Sequence, residues 1–129
     1  MNGKFLLDSN IIIALFAGDP EVRRRISTNN EVFISSVALG ELYYGAYKSE
    51  HVGDNLKRAK EFGQHSTVLV CDETTADHYG SIKNSLRAKG RPIPDNDIWI
   101  AAIAKQHQLT LVSRDSHFSE VENLSVEAW

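Results

Sequence analysis

The sequence predicts an α/β fold, a three-layer α/β/α sandwich around a central parallel sheet of about five strands. Three observations predict it. Short apolar runs alternate with longer helical patterns along the 129 residues, which is the order of strands joined by helical crossovers. The runs are continuous rather than alternating, as in strands covered on both faces. Acidic residues, Asp8 and Asp115, follow two of these runs. In open α/β sheets the ligand crevice lies at the carboxyl ends of the strands.

The first strand is Lys4 to Leu7, apolar through Phe5-Leu6-Leu7. A helix runs from Asn10 to Phe16, with Ser9 or Asn10 as its N-cap. Gly18-Asp19-Pro20 breaks it, and Pro20 suits the first turn of a short helix to about Ser27. Thr28-Asn29-Asn30 is a turn, and Glu31 to Ser35 is the second strand. Ser36 caps a helix from Val37 to about Tyr47. His51 to Gln64 is a polar helix with apolar contacts at Val52, Leu56, Ala59 and Phe62. Thr67 to Cys71 is the third strand, and Asp72 to Lys89 a long helix ended by Gly90. Arg91-Pro92-Ile93-Pro94 cannot be helical. Asp95 or Asn96 then caps a helix from Asp97 to His107. Leu109 to Val112 is the fourth strand, followed by a short helix near His117 to Val121 and an edge strand near Leu124 to Glu127.

Length and composition fit one globular domain spanning residues 1–129, with 42 % apolar and 24 % charged residues. No run approaches a membrane span, and Asp8-Ser9-Asn10 interrupts the N-terminal apolar stretch, against a signal peptide. The single cysteine, Cys71, excludes an internal disulfide; a buried reduced thiol and a cytoplasmic location are expected. The net charge of −3 is unlike that of most nucleic-acid binders. Bound cations would offset part of it. Basic residues cluster at Arg23-Arg24-Arg25, at Lys57-Arg58 with Lys60, and at Arg87, Lys89 and Arg91. Taken singly, each cluster reads as a solvated helix face; weak or partner-assisted RNA binding is the second reading.

Four acids stand out, each flanked by core-like residues: Asp8, Glu41, Asp97 and Asp115. Singly, Asp8 and Asp115 read as turn or cap residues and Asp97 as a helix-dipole acid. Glu41 resists such a reading, because Val37, Leu39 and Leu42 make its helix mostly buried. Carboxylates are rarely buried unless paired or bound to a cation. Together, at the mouth ends of their elements, they describe a divalent-metal site of the kind that hydrolyses phosphodiesters. Mg²⁺ takes oxygen ligands and keeps several waters, and two ions can serve the attacking and leaving oxygens. Asn10, Ser113 and Asp95 are the polar neighbours expected to support these acids, Asp95 alternatively as a ligand or a helix cap. The five histidines, His51, His65, His78, His107 and His117, show no metal-ligand spacing and are expected to be structural or exposed.

Four blocks then carry a family resemblance. They are Leu7-Asp8-Ser9-Asn10-Ile11-Ile12, Ser35 through Glu41-Leu42-Tyr43-Tyr44-Gly45, Asn96-Asp97-Ile98-Trp99-Ile100-Ala101-Ala102-Ile103-Ala104, and Leu109 through Asp115-Ser116-His117-Phe118. In this order, over nearly the whole chain, they resemble the PIN-domain ribonucleases, and among them the VapC-type toxins of bacterial toxin–antitoxin pairs. Ser113 stands where that family often has threonine, and Asp95 competes with Asp97 for the third acid. The resemblance implies that Asp8, Glu41, Asp97 and Asp115 bind Mg²⁺ or Mn²⁺ and that a metal-activated water cuts RNA endonucleolytically. It also implies two partners: a second copy of the chain and a small VapB-like antitoxin whose tail inserts near the acids. Tyr43, Tyr44 and Tyr47 are candidates for the dimer face.

Two other readings stand beside this one. A PIN-like module could bind RNA or protein without cutting. A response-regulator-like domain would use Asp72, after the third strand, as phosphoacceptor, but Val112-Ser113-Arg114 lacks the lysine such a site wants.

Overall fold

The structure, a computed structural model, describes residues 3–28 and 30–129. Asn29, in the middle of the predicted Thr28–Asn30 turn, lies outside the described residues. The elements follow the predicted order. They are β1 (Lys4–Leu7), α1 (Ser9–Phe16), α2 (Pro20–Ser27), β2 (Glu31–Ser35), α3 (Ser36–Tyr47), α4 (Val52–Gln64), β3 (Thr67–Leu69), α5 (Glu73–Ala88), α6 (Asp95–Gln106) and β4 (Thr110–Val112). A 3₁₀ turn (Ser116–Glu120) and β5 (Val126–Glu127) complete the set.

The five strands form one parallel sheet in the order β3-β2-β1-β4-β5. The chain moves outward from β1 through β2 to β3, then crosses back through α5 and α6 to the other side of β1. With right-handed crossovers, that reversal sends the two groups of helices to opposite faces of the sheet, which makes the sandwich. It also sets a topological switch point between β1 and β4, where such sheets open a crevice. The register is Phe5 with Thr110, Leu6 with Leu111 and Leu7 with Val112, so Asp8 and Ser113 emerge side by side.

Burial explains the continuous apolar runs. Leu6, Leu7, Ile34, Leu111 and Val112 are buried on the strands, and Ile98, Ile100, Ala101, Ala102, Ile103 and Ala104 make α6 the most enclosed helix. A helix apolar all round belongs in a core. Tyr79 and Trp99 stack at 4.0 Å between ring centroids where α5 meets α6. Trp129 packs edge-on against Phe5, and the Arg114 Nε donates to its carbonyl oxygen at 2.8 Å.

Several local expectations are corrected. The N-cap of α1 is Asp8, not Ser9 or Asn10: its carboxylate accepts from the Ser9 N–H. The N-cap of α3 is Ser35 rather than Ser36, its hydroxyl accepting from the Ala38 N–H at 3.0 Å. The N-cap of α6 is Pro94, so neither Asp95 nor Asn96 caps it. Strand β3 ends at Leu69, two residues early, because the chain turns out of the sheet toward α5; Val70 and Cys71 are exposed, and the thiol is not a core group. Asp72, the alternative phosphoacceptor, forms a capping box with Thr75 and accepts from the Gln106 amide at 2.9 Å. That is a structural cap. Gly90 follows α5 with φ +68°, the left-handed conformation a helix-ending glycine supplies.

Candidate active site

Asp8 is delivered by two local causes. Strand β1 ends at Leu7 with its backbone still paired, since the Asp8 N–H donates to the Val112 carbonyl at 2.9 Å. The extended Asp8 backbone then turns its carboxylate back over the start of α1. One oxygen accepts from the Ser9 N–H at 2.8 Å and the other from the Ser113 hydroxyl at 2.8 Å. The residue is only 4 % exposed.

Ser113 organises the neighbourhood. Besides donating to Asp8, its hydroxyl accepts from the Asn10 amide at 3.2 Å and from the Asp115 N–H at 3.0 Å. The Asn10 carbonyl accepts in turn from the Arg114 N–H at 3.2 Å. Asn10 and Ser113, two of the three residues expected to support the acids, therefore touch Asp8 or Asp115 through hydrogen bonds. The Arg114 side chain points elsewhere, to Asp19 at 2.9 Å and to Trp129.

Asp97 lies in the first turn of α6 and is 8 % exposed. Asp115 caps the 3₁₀ turn, accepting from the His117 N–H at 2.9 Å. His117 closes the gap between them: its Nδ1 is 2.8 Å from an oxygen of Asp97 and 3.1 Å from one of Asp115. Sequence reasoning missed this histidine. It looked for histidines spaced from one another or from cysteine, whereas the available signal was Asp115-Ser116-His117, two ligand types on one short turn. Glu41, half-buried on α3, accepts from the Ser9 hydroxyl at 3.4 Å. That contact was not foreseen.

The structure thus brings Asp8, Glu41, Asp97 and Asp115 to one end of the sheet. It does not bring Asp95 there. Residues two apart on a helix point about 200° from each other, and Asp95 faces α5, where the Tyr79 hydroxyl and the Lys83 ammonium hold it at 2.9 and 3.1 Å. Those contacts keep its proton affinity below the usual carboxylate range.

The clustered acids behave oppositely. Burial raises the proton affinity of Asp8, against the hydrogen bonds from Ser113 and Ser9, and the charges of Asp97 and Asp115 raise it further. Burial, then Asp8 and Asp97, raise that of Glu41. Burial also raises that of Asp97, opposed by the His117 hydrogen bond. That bond in turn raises the His117 imidazole above its ordinary value. Among the described residues no lysine or arginine forms an ion pair with any of the four acids. This is an oxygen-rich, uncompensated negative site, the donor set that suits a hard divalent cation. A carboxylate oxygen from each of Asp97 and Asp115 and a ring nitrogen of His117 lie within 4.8 Å of one another.

Two outcomes follow for metal-free protein. Replacing Ser113 by Ala leaves a buried Asp8 oxygen short of its donor and should cost about 1–3 kcal/mol, read from chemical denaturation midpoints. A raised carboxyl pKa means the charged form destabilises the fold, so Glu41→Gln should melt higher at neutral pH, by on the order of 2 °C. Below the ordinary carboxylate range Glu41 is protonated in both folded and unfolded chains, and the difference should vanish. An unchanged or lower melting temperature at neutral pH would contradict the electrostatics described.

Comparison with known proteins agrees with this geometry. The family model described as PIN domain matches residues 5–124. The chain is 38 % identical over 129 residues to ribonuclease VapC2 of Haemophilus influenzae, covering 98 % of each. It is also 38 % identical to the tRNA(fMet)-specific endonuclease VapC of Shigella flexneri, again covering 98 % of each. The crystal structure of VapBC2 from Rickettsia felis, bound to a DNA fragment from its promoter, contains a chain that superposes with a TM-score of 0.90 at 28 % identity, covering 98 % of both. The chain belongs to the PIN-domain family, among its VapC ribonucleases.

Proposed function

We propose that this protein is a metal-dependent endoribonuclease, the toxin of a toxin–antitoxin pair, and that Asp8, Glu41, Asp97 and Asp115 are its catalytic, metal-holding acids. The observation that carries the reading is their uncompensated negative charge, gathered at the switch point of the sheet. Mg²⁺ or Mn²⁺ is the ion the donor set favours; when bound it neutralises the phosphate and lowers the pKa of the attacking water. Asp8 and Asp97 hold the ion. Glu41 and Asp115 complete the cage or orient the water. Ser113 and Asn10 keep Asp8 from rotating, so that its oxygens stay aimed into the crevice. The substrate phosphate approaches an acidic site, which it tolerates only with cation present.

RNA is the substrate class, as the names of the relatives support. The Shigella relative makes initiator tRNA the first target to try. Part of the chain's basic surface is already engaged. Arg24 and Arg25 are paired to Glu21, and Arg58 lies over the Phe16 ring. The similar structures are of toxin–antitoxin complexes, which supports a small VapB-like antitoxin as partner. An open groove of 360 Å³, lined by Ile13, Phe16, Gly45 and Arg58, runs up to Glu41 and is where its tail would lie. A second copy of the chain is the other partner. Tyr44 and Tyr47 are 67 % and 64 % exposed on α3, whereas Tyr43 packs against the core and leaves the dimer face. No helix among the described residues is long and apolar enough to cross a membrane; the cytoplasm is the proposed location.

The test is cleavage of end-labelled total RNA and of tRNA(fMet) by antitoxin-free protein, with EDTA, Mg²⁺ or Mn²⁺. Discrete metal-dependent cuts are expected, with Asp8→Asn slower by more than about 100-fold and unchanged in its circular dichroism. Full activity of that variant would rule out the assignment of Asp8, and RNA binding without cutting in Mn²⁺ would replace the nuclease with a binding module. Sedimentation should give about twice the 14.4 kDa chain mass, reduced in Tyr44→Ser/Tyr47→Ser. A monomer at every concentration would remove the dimer.

A further inference from the structure

His117 stands at the centre of the only three-residue group of nitrogen and carboxylate ligands found among the described residues. Its Nδ1 lies 2.8 Å from Asp97 Oδ2 and 3.1 Å from Asp115 Oδ1. Neighbouring corners of an octahedron with bonds of about 2.1 Å are about 3.0 Å apart. The nitrogen is therefore spaced from each of the two oxygens as adjacent positions of a single coordination sphere are. The turn that presents them does not depend on the imidazole. The His117 backbone N–H closes it on Asp115 at 2.9 Å, and Phe118, 1 % exposed, anchors it in the core.

We propose that His117, through Nδ1, is itself a ligand of the ion held by Asp97 and Asp115, and that it biases this site toward first-row transition ions such as Mn²⁺ over Mg²⁺. The proposal rests on the metal-dependent reading above. The bias follows from ligand chemistry. Mg²⁺ prefers oxygen and keeps its waters, so an imidazole adds little to its binding. Transition ions accept imidazole readily, and the gain rises across the series. A site of carboxylates alone would discriminate less. A histidine that only balanced the charge of Asp97 and Asp115 would have the opposite effect, since any cation entering the site would have to displace it.

These roles separate in a binding experiment that needs no RNA. Mn²⁺ and Mg²⁺ titrations of the wild-type chain, His117→Ala and His117→Asn are read by calorimetry, with pulsed EPR of bound Mn²⁺. If His117 is a ligand, ¹⁴N modulation is present in the wild type and absent in both variants. The other four histidines remain in those variants as an internal control. Mn²⁺ affinity should fall by at least about tenfold while Mg²⁺ affinity changes by less than about twofold. Bound Mn²⁺ without nitrogen modulation in the wild type overturns the ligand role and leaves the nuclease reading intact. Tighter binding of both ions by His117→Ala overturns it too, in favour of a competing imidazolium. Absence of stoichiometric Mn²⁺ binding by the wild type, with its fold verified, overturns the underlying metal reading and this inference with it.

Discussion

Everything at the site depends on the pairing of β1 with β4. These strands are neighbours in space and far apart in sequence, and their parallel register brings Leu7 level with Val112. One residue later, each strand releases a polar side chain at the same place, Asp8 from one and Ser113 from the other, and they bond at 2.8 Å. Ser113 then reaches Asp115 through its backbone and Asn10 through its amide, so one hydroxyl ties the start of α1 to the turn after β4. A slip of one residue in this register would turn Asp8 to another face and dissolve the constellation.

The fold carries an electrostatic cost at this point, where burial raises the proton affinity of three clustered acids. Several acids elsewhere are matched: Glu21 by Arg24 and Arg25, Asp19 by Arg114, Asp95 by Lys83. Around Asp8, Glu41 and Asp97 the only base paired to an acid, among the described residues, is His117, and burial works against the charged carboxylates. The site satisfies hydrogen bonds while leaving charge unbalanced. Sites that do chemistry on anions commonly hold perturbed groups of this sort, and the surrounding core, dense in α6 and the central strands, supplies the stability that tolerates them.

Much of this was legible in the residues. Asp8 and Asp115 could be read because each follows a strand whose apolar run is continuous. Glu41 could be read because an acid among Val37, Leu39 and Leu42 has no ordinary place. What escaped the sequence shares a physical cause: choices between adjacent, chemically similar residues are made by tertiary contacts. Asp8-Ser9-Asn10 offers three cap formers in a row, and the chain uses Asp8 because Asn10 is drawn to Ser113 and Arg114. Ser35-Ser36 and Asp95-Asn96-Asp97 pose the same problem. His117 was invisible because its partners come from two different elements, and Cys71 was misplaced because β3 ends where α5 claims Asp72 as its cap.

The separation between Asp8 and Ser113, 105 positions along the chain, has a consequence for synthesis. Strand β1 leaves a ribosome before its neighbours, and it can pair with β2 as soon as that follows. Its other edge stays open until β4 is made, and contacts of such long range form late in folding. Asp115 and His117 arrive later still, and the loop carrying them is fastened by Arg114 to Trp129, fifteen positions further on. A nascent chain therefore carries Asp8 and Glu41 before it has the residues that complete the crevice. Parallel strand order therefore holds back assembly of the acidic crevice until β4 and the turn after it have been made.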